Sequence, residues 1–179
     1  GGWADGYTNA IFRTLDHLPG PKKGLIGPWA HKYPHFAKPG PRIGFLQECL
    51  RWWDQHLKET DTGIMDEPML RAWVQHPASP QTFREQSDGD WVAEPAWHGK
   101  AIETRPLYPG SGGLAATPDK SVIRVASPQQ AGWTSGAWCG YGMMPDGPLD
   151  QNGEAGLMTS FETEAMEKDL AILGFPIFH

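Results

Sequence analysis

Residues 1–31 hold two short extended segments with one helical segment between them, an order that admits few folds. Gly1 to Trp3 fits the end of one strand. Tyr7 to Leu18 fits a helix closed by Pro19-Gly20-Pro21, and Leu25-Ile26 fits a brief buried strand after Lys22-Lys23-Gly24. A strand, a helix and a second strand predict a parallel crossover unit, which is nearly always right-handed and delivers both strand ends to one sheet edge. Neighbouring strands lie roughly 4.8 Å apart. Asp5 follows the first strand end and His31 follows the second by a few residues. The two side chains are thus expected to meet above the carboxyl edge, where open α/β sheets bind ligands. A carboxylate there accepts the Nδ1–H of an imidazole, sets its tautomer and stabilises the imidazolium, the relation found in a Ser-His-Asp triad. Gly6 and Gly27 are expected at tight turns, with Pro28 stiffening the loop before His31. A plainer role is also open to Asp5, since an aspartate before a helix caps free N–H groups.

Gly2-Trp3-Ala4-Asp5-Gly6 and Gly27-Pro28-Trp29-Ala30-His31 resemble the Asp and His motifs of the cocaine-esterase and X-prolyl dipeptidyl-peptidase family of serine hydrolases. The resemblance continues through Cys49 to Lys58, Leu107 to Leu114 and Phe161 to Phe175. It covers most of this chain and a middle portion of a full-length member. It implies the C-terminal part of an α/β-hydrolase domain over residues 1–100, carrying Asp5 and His31. The first part of a jelly-roll β-sandwich domain would follow over residues 101–179. It implies hydrolysis of a small-molecule ester or an X-Pro peptide, with no cofactor.

That arrangement has the chain order Ser, Asp, His, so the serine is expected upstream of Gly1, in an N-terminal hydrolase segment missing here. The serines present are Ser79, Ser87, Ser111, Ser121, Ser127, Ser135 and Ser160, and none lies in Gly-x-Ser-x-Gly. Pro109-Gly110-Ser111-Gly112-Gly113 comes nearest, with proline in place of the first glycine. The 179 residues alone are therefore expected to be inactive, with both halves unfinished and prone to self-association as a homo-oligomer or to docking onto the missing segment.

Composition narrows the partners. Lys and Arg total 15 without a basic cluster, and the net charge is −6, which argues against nucleic acid. No apolar run is long enough to span a membrane. His31 and His35 have a spacing that binds zinc from one helix face, but Pro34 between them disfavours a helix and no further ligands flank them. Cys49 and Cys139 are expected as free thiols, a disulfide between them being the alternative, and neither has the neighbours of a zinc site.

Beyond His31, Ile43, Leu46, Leu50, Trp53 and Leu57 recur at helical steps and predict a helix over 43–57 whose apolar stripe packs on the sheet. Met69 to Gln75 predicts a strand with Leu70, Ala72 and Val74 on one face, and Asp88-Gly89-Asp90-Trp91 a turn into a further segment. Thr104 to Tyr108, Ser121 to Val125, Phe161 to Glu164 and the run from Leu173 read as strands, with a turn over 109–113. The stretch 132–147 is rich in Gly, Trp and Pro. Trp133, Trp138 and Tyr141 there support an alternative to catalysis, a β-sandwich binding module using exposed aromatics.

Overall fold

The structure, a computed structural model, describes residues 1–135 and 150–179. Strand β1 (Gly2–Ala4) leads to helix α1 (Ala10–His17), strand β2 (Gly24–Ala30) and helix α2 (Phe45–Leu57). Strands β3 (Leu70–Gln75) and β4 (Gly89–Glu94) follow, then the short strands β5 (Tyr108–Gly110) and β6 (Gly113–Ala115). Three 3-10 segments complete the described elements, at Ile64–Asp66, Trp133–Ser135 and Gln151–Leu157. The main sheet has the order β1-β2-β3-β4, with β1, β2 and β3 parallel and β4 antiparallel to β3.

Helix α1 begins at Ala10, three residues later than the sequence predicts. Local hydrogen bonding takes residues 5–9 into a turn instead: the Thr8 N–H donates to the Asp5 carbonyl at 3.2 Å and the Ala10 N–H to the Tyr7 carbonyl at 2.9 Å. The helix stops at Leu18, before Pro19 and before Gly20 at φ 82°. Its inner face carries Phe12 and Leu15 onto Ile26 of β2 and onto Leu70 and Ala72 of β3, and this cluster is the core. Phe12, Ile26 and Leu70 are fully buried, each contributing about 1.5–3 kcal/mol by removal from water.

Strand β2 runs through Gly27 and Pro28 to Ala30, so Gly27 lies in a strand and not, as predicted, in a tight turn. The glycine is needed for space: a Cβ at Gly27 would lie 2.4 Å from the Trp29 ring. Pro28 is tolerated because pairing with β3 ends at Ile26, so no ladder bond on that side is lost. On the other side Gly2 pairs with Gly27 and Ala4 with Ala30, so β2 holds one extra residue, a bulge around Pro28.

Helix α2 forms as the periodicity predicts, starting two residues later at Phe45. Its stripe does not pack on the sheet: Leu46, Leu50, Trp53 and Leu57 are 60%, 57%, 53% and 72% exposed. Ion pairs hold the opposite side inward. Arg71 of β3 donates to Glu48 at 2.7 Å, and Arg51 pairs with Glu67 just before β3. Between α2 and the sheet lies a cleft of about 230 Å³ lined by Leu25, Phe45, Glu48, Cys49, Trp52 and Arg71 among others. Cys49 is half-buried and free, and Cys139 lies outside the described residues.

Past residue 100, β5 and β6 form a two-stranded hairpin around Ser111-Gly112, displaced by a few residues from the predicted strand at 104–108. Residues 121–125, 161–164 and 173–178 are not strands. A strand exists only with a partner, and among the described residues the one ladder-like contact offered here is the Leu114 N–H donating to the Glu162 carbonyl at 2.8 Å. Leu173 and Phe175 instead turn back onto the main core, with the Phe175 ring centroid 5.9 Å from that of Phe12.

Candidate active site

The bulged register that pairs Ala4 with Ala30 sets the next residue of each strand opposite the other, and these are Asp5 and His31. The His31 Nδ1 lies 3.1 Å from Asp5 Oδ1 and 3.2 Å from Oδ2. An ionised carboxylate only accepts hydrogen bonds, so Nδ1 carries the proton and the lone pair of the neutral ring sits on Nε2. The Asp5 side chain is 15% exposed and that of His31 is 40% exposed, which leaves the imidazole reachable and its partner shielded.

Each side chain is held by its own strand end. Asp5 Oδ1 also accepts the Tyr7 N–H at 3.0 Å, and the Thr8 hydroxyl donates back to the Asp5 carbonyl. On the His31 side, the Ala30 N–H donates to the Lys38 carbonyl at 3.0 Å. The Trp29 Nε1–H donates to the Pro41 carbonyl at 2.7 Å, anchoring a ring only 1% exposed. The Tyr7 ring stands beside the imidazole, with centroids 5.9 Å apart. Sequence reading found the Asp5–His31 pair and the turn at Gly6, but began the helix at Tyr7 and so missed that the turn runs on to Asn9. The available signal was Asp5-Gly6-Tyr7-Thr8, a carboxylate and a hydroxyl spaced to bond the backbone between them.

The other candidates fall elsewhere. His35 packs edge-on to Phe36 at 4.7 Å between ring centroids, with Tyr33 and Phe45 alongside. Among the described residues no three of His, Cys, Asp and Glu gather as a metal site would require. Ser87 is buried and accepts a bond from Gln75 Nε2 at 2.8 Å. Ser111 and Ser121 both bond Asp119, and the Ser121 hydroxyl and N–H hold the Asp119 carboxyl below the usual carboxylate range. Trp133 is 83% exposed, while Trp138 and Tyr141 lie outside the described residues.

With a partly buried carboxylate bonded to a reachable imidazole at the carboxyl edge of a parallel pair of strands, the imidazole is placed to take up and return one proton. No family model matches the chain, and no curated protein matches it.

Proposed function

We propose that Asp5 and His31 are two members of a Ser-His-Asp triad, in a serine hydrolase of the cocaine-esterase and X-prolyl dipeptidyl-peptidase kind. The chain would form the end of its α/β-hydrolase domain and the start of its jelly roll. The observation that carries this reading is the approach of both Asp5 carboxylate oxygens to His31 Nδ1, at 3.1 and 3.2 Å, from the ends of neighbouring parallel strands. The nucleophile belongs to a serine outside these residues, since no serine here lies in Gly-x-Ser-x-Gly.

The chemistry is acyl transfer. The serine Oγ attacks the carbonyl carbon of an ester or an amide while His31 Nε2 takes its proton. His31 then protonates the leaving group, giving an acyl-enzyme. Water attacks that ester with His31 again as base, releasing acid and serine. Asp5 stays ionised throughout and holds the ring in the required tautomer.

The test uses a longer protein containing this chain and an upstream Gly-x-Ser-x-Gly. His31→Ala is expected to remove most turnover of an activated ester, and Asp5→Asn to lower kcat by about 10⁴-fold in a folded protein. The 179-residue chain alone is expected to take no fluorophosphonate label. Normal turnover in folded His31→Ala protein would overturn the mechanism. Exposed Trp133 supports the second reading, a binding module. That reading requires ligand binding abolished by Trp133→Ala and untouched by His31→Ala.

A further inference from the structure

We infer that Thr8 is a positioning residue for the Asp5–His31 pair, acting through the Asp5 main chain; this rests on the triad reading above. The Thr8 hydroxyl donates to the Asp5 carbonyl and lies 3.3 and 3.4 Å from the carbonyls of Gly2 and Trp3. The Thr8 N–H reaches the same Asp5 carbonyl at 3.2 Å. The hydroxyl has one hydrogen and gives it to the shortest of these contacts, so one half-buried side chain ties the turn to the main chain of the residue bearing the carboxylate.

Helix capping does not account for this hydroxyl. Helix α1 starts at Ala10, its N-cap is Asn9, and the Thr8 oxygen is turned away from the helix toward Asp5. The two sides of the pair are also braced unequally. His31 leaves a buried strand end that Trp29 and Lys38 anchor, whereas Asp5 leaves a three-residue edge strand and enters a turn. The carboxylate itself accepts from His31 Nδ1 and from the Tyr7 N–H, while Thr8 acts on the main chain that carries it. Loss of the Thr8 hydroxyl leaves the longer bond from the Thr8 N–H on that carbonyl and loosens the Asp5 main chain, and a carboxylate displaced by an ångström no longer accepts the Nδ1–H in line.

The experiment compares Thr8→Val, which keeps the shape, and Thr8→Ala with Thr8→Ser, which keeps the hydroxyl. In the 179-residue chain, 15N shifts of the His31 ring at a pH of about 8, where an ordinary histidine is neutral, report which nitrogen holds the proton. The unaltered chain and Thr8→Ser are expected to show the Nδ1–H form. Thr8→Val and Thr8→Ala are expected to shift toward the Nε2–H form, as Asp5→Asn does. In the longer hydrolase, Thr8→Val is expected to lower kcat by up to about 10²-fold with KM within about twofold, and Thr8→Ser to restore it.

Val and Ala variants that fold and keep the unaltered tautomer while Asp5→Asn shifts it overturn the inference. No shift with Asp5→Asn overturns both the inference and the pair. The expected tautomer shifts without any His31-dependent turnover in the longer protein leave Thr8 as the brace of Asp5 and overturn only the hydrolase reading.

Discussion

Gly27 and Trp29 set the approach to His31 at the scale of single residues. Trp29 is buried with its Nε1–H bonded to the Pro41 carbonyl, so its ring has nowhere to go when Gly27 gains a Cβ 2.4 Å from it. Gly27→Ala is expected to cost about 1–3 kcal/mol, the range for overpacking a filled site, read as a lower urea midpoint. The meeting of Asp5 and His31 was legible because a strand–helix–strand crossover delivers both strand ends to one sheet edge. The reason for Gly27 was not, because a glycine that avoids a clash and a glycine that makes a turn are written with the same letter. Only the position of the Trp29 ring separates them.

Helix α2 shows what periodicity leaves open at the scale of elements. Steps of three and four residues predict that one side is apolar, and the helix forms almost where they place it. They do not say which side a neighbour will hold. Here Glu48 and Arg51 face inward because Arg71 and Glu67 wait on the β3 side, so the apolar stripe faces outward. The bond from Arg51 holds the Glu67 carboxyl below the usual carboxylate range, against partial burial, with the nearby charges of Arg51 and Arg71 adding to the effect. A carboxyl depressed in the folded state contributes stability above its unfolded value, and that contribution is lost as pH falls through the folded value. Glu67→Gln is therefore expected to lower stability by about 1 kcal/mol at neutral pH, a modest figure because both partners are partly exposed. The gap between parent and variant is expected to close below a pH of about 4, and urea titrations across the acid range measure it.

The whole molecule is closed by a contact far apart in sequence. Leu173 and Phe175 return to the core of α1, β2 and β3, where Phe175 meets Phe12, and Trp97 meets the same ring at 4.4 Å between centroids. Residues beyond 100 thus complete the apolar face of the N-terminal half. Phe175→Ala is expected to destabilise the N-terminal sheet itself by about 1–3 kcal/mol, less than a fully buried phenylalanine would. Hydrogen exchange of β2 and β3 amides checks it: faster exchange there follows from the packing, and unchanged exchange would show that the return contributes nothing.

The sequence by itself determined the strand–helix–strand unit, the two helices, the strand at β3 and the expectation that Asp5 and His31 meet. Each rests on local spacing, on punctuation by Gly and Pro, or on the handedness rule that puts successive parallel strand ends on one edge. The tertiary structure decided the register at Ala4 and Ala30, the bulge at Pro28, the outward side of α2 and the return of Leu173 and Phe175. It also decided that 121–125 and 161–164 form no ladder. These depend on which groups lie across space, where the energy of a salt bridge, a close-packed ring or a shared carbonyl is set by a partner many residues away.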